Sequence, residues 1–257
     1  AFDVYDANNI NPLYGFFVAR AGLGASESMR SKLAEYNDPR LSRAFITKQG
    51  TSGKEQAPGT ADNAVYAPNG TPEQGTSKYG TSLFMYSISA PTLLLSYHEL
   101  KFLEAEALCR LERDAKSALK DAVVAGLLNA ENSFTISRKE LGKTLINAAS
   151  SITEAEAESY FDNTIEAKYT AEPLKTTMTQ KYFALWGASG EATESYNDVR
   201  RMKGLGENFI ELKNPNSFPL RCPYGNSDTT TNAEVKAAYG NGQYVYSENV
   251  WWAGGSR

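Results

Sequence analysis

Histidine is almost missing from this sequence, cysteine is scarce, and neither an excess of basic charge nor a long apolar run occurs. Of the 257 residues one is His, His98, so no second imidazole exists to complete a zinc motif or a second proton relay. Two cysteines, Cys109 and Cys222, are too few for a disulfide framework or a cysteine-based zinc site. A long-range bridge between them stays open in an oxidising compartment. The 26 Lys and Arg against 30 Asp and Glu give a net charge of −4. That balance supplies no basic footprint for nucleic acid and no polybasic patch for an anionic membrane. No run of about 18 apolar residues is present to span a bilayer. The opening AFDVYDANNI has neither the charged nor the apolar region of a signal peptide.

What is present is helical pattern and aromatic loops. Ser26 reads as the N-cap of a helix over 26–36 with Met29, Leu33 and Tyr36 on one face. Residues 47–82 are rich in Gly, Pro, Thr, Ser and Asn and carry only two aromatics, Tyr66 and Tyr79. A loop that long is unusual inside a compact domain and is usually functional or disordered. Beyond it the pattern turns helical. Pro91 suits the first turn of a helix running to about Glu112, with Leu93, Tyr97, Leu100, Ala107 and Leu111 in one stripe. Leu94, Phe102, Ala105 and Cys109 widen that stripe, so this helix is expected to be buried on more than one side. A second helix starts near Asp114 with Ala115, Leu119, Ala122 and Val123 inward, and the two form a helical hairpin. Further helices are expected at 137–152, at 153–169 with a Thr153/Glu156 capping box, at 172–187 ended by Gly187, and at 190–204. The tail, 205–257, is rich in Asn, Gly and aromatics.

The chemistry-bearing candidates dissolve one by one. His98-Glu99 begins like a zinc-protease motif, but Phe102 stands where the second His belongs. Glu99 and Glu106 share a helix face, and Arg110 four residues beyond Glu106 makes an ion pair the default. GTSGK (50–54) lacks the spacing of a phosphate loop. In YNDVRR (196–201), Asp198 and Arg201 are placed to pair at i, i+3 rather than to clamp an anion. No catalytic residue, no metal ligand and no cofactor site is expected.

Seven stretches occur in a telling order: NPLY (11–14), DPRL (38–41), PTLLLSYHELKFLEAEAL (91–108), QKYFALWG (180–187), ESYNDVRR (194–201), FPLRCPYGNSDTTTN (218–232) and VWW (250–252). Together they resemble the SusD/RagB-like nutrient-binding outer-membrane lipoproteins of Bacteroidetes. The resemblance implies a mostly α fold of tetratricopeptide-like helical hairpins with long irregular loops, a SusD-like α-α superhelix. It also implies that 1–257 is one such domain or the C-terminal part of one, with a loop region at 47–90, a helical scaffold at 91–204 and an irregular tail at 205–257. The hairpin departs from the repeat pattern in having Leu119 for the usual aromatic and no glycine in the turn RLERD.

The function implied is binding, not catalysis: a cell-surface subunit that captures an oligosaccharide or peptide beside a SusC-like TonB-dependent transporter. Such a protein is held at the outer membrane by a lipid anchor that this sequence does not include. Rings displayed from loops are the expected ligand contacts, namely Tyr66, Tyr79, Tyr86, Trp251 and Trp252, although the two tryptophans also suit packing of the tail. The alternatives are a helical-repeat adaptor that docks another protein without a small ligand and, more remotely, a glycosidase. His98 is expected to bind no metal. His98→Ala is expected to lower the thermal midpoint while leaving ligand retention intact, and unchanged stability with lost binding would contradict this.

Overall fold

The computed structural model describes residues 9–20, 24–49, 54–56, 65–69, 79–142, 149–213 and 217–255. The chain divides into two units, Ala1–Leu212 and Lys213–Arg257. The first is built from α1 (Pro12–Arg20), α2 (Glu27–Glu35), three short strands, and α3 (Tyr97–Arg110), α4 (Lys116–Leu141), α5 (Glu154–Tyr160), α6 (Glu166–Ala171), α7 (Pro173–Ala184) and α8 (Ala192–Gly204). The fold is mostly α, as the sequence pattern and the resemblance led one to expect. The strands β1 (Phe45–Gln49), β2 (Lys54–Gln56) and β3 (Thr81–Ser82) form a small antiparallel sheet in the order β2-β1-β3. It lies in the stretch expected to be loop. Phe45 pairs with Ser82 and Gln49 with Lys54, so β1 is the centre.

Local rules account for most helix ends. The Ser26 side chain accepts from the Met29 N–H and the Thr153 side chain from the Glu156 N–H, each satisfying an otherwise orphaned donor. The hairpin of α3 and α4 closes on Glu112, whose φ of 55° occupies the left-handed position usually filled by glycine. Glu112 N–H donates to the Cys109 carbonyl and Arg113 N–H to the Leu108 carbonyl, which completes the turn without a glycine. The same pair of bonds ends α2, with Asn37 in the left-handed position.

Four expectations need correction. The helix placed from Pro91 begins at Tyr97, because Ser96 caps it by accepting from Glu99 N–H. Residues before it run over the turn after α7: Leu93 N–H donates to the Ser189 carbonyl at 2.7 Å. At Gly190 (φ +97°) a Cβ would lie 2.0 Å from the Leu93 carbonyl oxygen. The apolar stripe on α3 is the second correction: Tyr97, Leu100, Ala107 and Leu111 face solvent, while Phe102 and Ala105 are buried. Of the helix expected over 137–152, residues 137–141 are the end of the single 26-residue α4, and 143–148 lie outside the described residues. The helix expected over 153–169 is interrupted by a π turn, Phe161–Ile165.

Phe102, Leu119, Leu127, Phe134, Phe161 and Phe183 lie in one core cluster, with Ala115, Ala122 and Val123 of α4 inward as the spacing requires. Phe84 packs on Phe134 and Trp186, and a Cβ at Gly187 (φ +77°) would meet the Phe84 ring at 2.3 Å. Two polar clusters are sealed into this framework. In the first, Asp38 and Arg40 pair in two bonds: Nε to Oδ1 at 2.8 Å and Nη2 to Oδ2 at 2.6 Å. Arg40 Nη1 donates to the Phe183 carbonyl at 2.8 Å, meeting a free acceptor at the end of α7, and Tyr160 of α5 reaches Asp38 Oδ2 at 3.3 Å. In the second, Ser96 N–H donates to Glu191 Oε1, and His98 Nε2 lies 3.6 Å from Glu191 Oε2. Glu106 accepts from Arg110 of its own helix and from Arg201 of α8, and Asp198 joins Arg201 to the buried Lys181. The pairing expected within EALCR and YNDVRR is present. Both cysteines are free thiols, Cys109 half-buried beside Thr177.

In the second unit, Asn232 caps α10 (Ala233–Tyr239) just after α9 (Asn226–Thr231). Tyr224 stacks on Tyr239 with ring centres 4.3 Å apart, and Arg221 lies over the Tyr224 ring. The tail expected to be irregular therefore carries two short helices and a stacked ring pair.

Removing one partner of the Asp38–Arg40 pair strands a buried charge. Arg40→Met is expected to cost about 3–5 kcal/mol in urea unfolding, and Arg40→Lys to recover only part, since an ammonium cannot make the two parallel bonds.

The second cluster makes stability depend on pH. Burial, followed by hydrogen bonding and repulsion from Glu191, raises the Glu99 carboxyl from 4.5 to about 7, with Lys181 opposing and Glu194 adding to the rise. The folded chain thus holds this proton more tightly than the unfolded chain. Its contribution is complete below about pH 4.5 and is lost as pH rises through about 7. Burial lowers His98, with Glu191 opposing and Arg40 assisting, so its contribution is complete above 6.5 and is lost as pH falls through its lower folded value. Glu99→Gln is expected to flatten the decline in thermal midpoint between pH 5 and pH 8 relative to the unaltered chain. Parallel pH profiles of the two would contradict the assignment.

Candidate functional site

An open cleft of about 470 Å³, lined by polar and apolar groups alike, lies in the first unit, between the turn that follows α2 and the α5–π segment. The first wall is Asn37–Pro39 with Leu41, Ser42 and Arg43; the second is Glu156, Ser159, Tyr160, Asn163 and Thr164. Its rigidity has identifiable sources. The Asp38–Arg40 pair holds the floor of the turn. Arg43 is fixed by three acceptors: the Ser150 carbonyl at 2.7 Å, the Pro39 carbonyl at 2.9 Å and the Glu156 carboxylate at 2.9 Å.

The π turn shapes the second wall. Glu166 N–H donates to the Phe161 carbonyl five residues back, so the helix takes one extra residue in this turn. Phe161 and Ile165 stay buried, while Ser159, Asn163 and Thr164 line the cleft. Asn163 Nδ2 donates to both the carbonyl and the hydroxyl of Ser159, each at 2.9 Å. Burial and the neighbouring Asp38 carboxylate hold the Tyr160 hydroxyl protonated well above its usual range, so it acts as a neutral donor. The cleft therefore presents hydroxyls, amides, the Asp38 and Glu156 carboxylates and a braced guanidinium. That set suits recognition of a neutral polyhydroxyl ligand.

The five aromatic residues expected to meet ligand fall in different environments. Tyr79 is buried against Gly24 and has no open ring face. Tyr66 is half-buried, edge-on to Phe45 at 5.1 Å with Arg30 over its ring, and Tyr86 is half-buried, edge-on to Phe17 at 5.2 Å. These three tyrosines therefore pack loops onto the core. Trp251 and Trp252, in the second unit, are open: they stand edge to face with centres 5.5 Å apart and are 71% and 70% exposed. They occupy a short 3-10 turn, Trp251–Ala253, stopped by Gly254 at φ +86°.

None of the cleft residues was named as a ligand contact from the sequence, although Glu156 was read in a capping box and Asp38, Pro39 and Leu41 in the DPRL stretch. The signal available was slight: polar residues at 159 and 163 share a helix face, and 164 would lie off that face in an ordinary helix. Among the described residues no group of three or more His, Cys, Asp or Glu is placed to hold a metal ion. No helix of the described residues is long and apolar enough to cross a membrane.

A model of SusD-like proteins, described as starch-binding and associating with the outer membrane, matches residues 3–224. A SusD/RagB family protein of Bacteroides thetaiotaomicron is 65% identical, with a TM-score of 0.88, over all of this chain and 55% of its own. A candidate outer-membrane nutrient-binding protein of Bacteroides vulgatus is 21% identical, with a TM-score of 0.59, over 88% of this chain and 50% of its own. A SusD homologue of Bacteroides fragilis is 19% identical, with a TM-score of 0.60, over 92% of this chain and 54% of its own. The last two speak for the fold alone. No curated protein matches the sequence. The chain spans about half the length of these solved relatives. With the family model matched over most of its residues and a 65% identical relative following its whole path, the chain belongs to the SusD-like family.

Proposed function

We propose that this chain serves in a cell-surface nutrient-binding subunit that captures a glycan or a peptide beside a SusC-like TonB-dependent outer-membrane transporter. It acts by binding and not by catalysis, and a lipid anchor holds the full-length form at the membrane. The observation that carries this reading is the match of residues 3–224 to a family described as starch-binding and associating with the outer membrane. Two surfaces of the chain agree with it. The cleft beside the π turn offers donors and acceptors suited to sugar hydroxyls, on side chains already held in place. The tryptophan pair offers broad amphipathic faces on which the apolar side of a sugar ring stacks. A glycan is the favoured ligand over a peptide, because both surfaces match its alternation of hydroxyls and apolar ring faces.

The second reading, a helical-repeat adaptor without a small ligand, draws on the apolar outer face of α3. Co-purification with a large β-barrel transporter speaks for the first reading and a soluble partner alone for the second.

Affinity electrophoresis through gels containing starch and a panel of other glycans is expected to retard the chain in at least one gel. Replacing Trp251 and Trp252 together by Ala is expected to weaken that retardation about tenfold, or roughly 1.4 kcal/mol, with no change in thermal midpoint. No retardation by any glycan or peptide would overturn the reading for this chain.

A further inference from the structure

Residues 91–96 form an irregular strap that crosses the turn before α8 and leads into α3. Pro91, Thr92, Leu94 and Leu95 are exposed, so little apolar burial keeps the strap in place. Hydrogen bonds to one short turn do so instead. Leu93 N–H donates to the Ser189 carbonyl at 2.7 Å, and Ser96 N–H donates to Glu191 Oε1. Upstream, Asn11 Nδ2 donates to the Ala90 carbonyl at 2.9 Å; downstream, the strap ends where Ser96 caps α3.

Glu191 is thus an anchor of the strap, and it is also half of a buried acid pair. The Glu99 and Glu191 side chains are both buried, and their carboxyls are in hydrogen-bonding contact. Two carboxylates repel each other in such a site, and one of them has to carry a proton to act as donor to the other. Glu191 Oε2 also lies 3.6 Å from His98 Nε2, and both atoms are buried with no hydrogen-bond partner among the described residues. A second proton, on His98 Nε2, supplies that donor. The charged groups around the pair leave it short of counter-charge. Lys181 of α7 faces Glu99 but is engaged by Asp198 of α8 at 2.8 Å, and Glu194 of α8 adds negative charge. Arg40 faces His98 but is paired with Asp38.

We propose that the Glu99–Glu191 pair is a proton-operated catch for the strap 91–96: one shared proton keeps the strap seated on the turn before α8, and its loss lets the strap lift. The strap gives way, and not the helix, because the two carboxyls differ in footing. Glu99 and His98 stand on α3, which Phe102 and Ala105 fix in the core, whereas Glu191 stands in the turn just before α8. When both carboxyls ionise, turning the Glu191 side chain outward relieves the repulsion and removes the acceptor of Ser96 N–H. The seated state holds the proton more tightly, so it is favoured as pH falls and released as pH rises through about 7. The strap carries the exposed Leu94 and Leu95, so pH sets how this apolar surface is presented. The catch is independent of the glycan reading, and either can fail without the other.

Amide-resolved hydrogen exchange on the full chain, from about pH 5.5 to about pH 8.5 and corrected for the intrinsic rise of exchange with pH, tests this. Protection of the Leu93 and Ser96 amides is expected to fall at least about tenfold across that range. Protection of Arg113, bonded to Leu108 at the far end of α3, is expected to stay within about twofold. Glu99→Gln keeps a hydrogen-bonding group against Glu191 but cannot ionise, so Leu93 and Ser96 should stay protected throughout. His98 gives an independent readout, because a chain with one imidazole has one set of imidazole resonances. Their chemical shift should show an inflection near pH 7 that Glu99→Gln removes. Should Glu99→Gln fail to fold, the unaltered chain must still show that inflection together with the local loss of protection. The proposal is overturned if protection of Leu93 and Ser96 is flat with pH or falls equally in Glu99→Gln. It is also overturned if that protection falls only in step with Arg113, which would make the change a general loosening of the fold.

Discussion

A single buried ion pair sets the geometry on which the rest of the first unit depends. Asp38 and Arg40 sit two residues apart in the turn after α2, both almost wholly removed from water. Burying two charges is unfavourable unless every strong donor and acceptor is met. Here the guanidinium meets the carboxylate twice and a carbonyl at the end of α7 once, and Tyr160 adds a contact from α5. Two elements distant in sequence, α5 and α7, are thereby tied to the short turn after α2. Burial opposes the charged form of Arg40, and the Asp38 carboxylate beside it more than compensates, raising its proton affinity above the usual value. The interaction is directional, so it selects one arrangement of α2, α5 and α7 where hydrophobic packing alone would tolerate several.

The same turn makes the cleft. Asp38 lines it, Arg40 lies beneath it, and Arg43, three residues on, points its fork to Glu156 and two carbonyls on the cleft's edge. Ser159 and Asn163, four residues apart, share a face in any α-helix, and the wider π turn brings Thr164 round towards that face as well. A binding surface whose side chains are already committed to neighbours loses little conformational entropy when a ligand arrives. The tryptophan pair follows a different logic: two large rings held in a short turn remain open, and their worth lies in exposed area.

How far the sequence revealed this follows from the range of each interaction. Ser26, Thr153 and the inward positions of α4 were legible because a cap or a 3.6-residue stripe is settled within a few residues. The start of α3 was misplaced because Pro91 and Ser96 both offer plausible openings. The choice between them was made by Gly190 and Ser189, nearly a hundred residues away. DPRL was recognisable as a family word, yet its physics was not, since its partners, the Tyr160 hydroxyl that donates to Asp38 and the Phe183 carbonyl that accepts from Arg40, lie on α5 and α7. The cleft was invisible for the same reason, and a π turn has no residue signature of its own. Tyr66, Tyr79 and Tyr86 were named for their loops, but a ring in a loop is as readily an anchor as a display, and only burial tells the two apart.

The stripe on α3 carries a further lesson about what periodicity reports. The pattern called for burial on more than one side, and the described residues bury one. A hydrophobic pattern records all the surfaces a segment covers in the working protein, not only those supplied by the polypeptide at hand. The helix also has a polar seal, Glu99 and Glu106 against α8 and the turn before it, which ties down the flank beside its buried side. Exposure of Leu100 and Leu111 is therefore imposed by the latch rather than chosen by the helix.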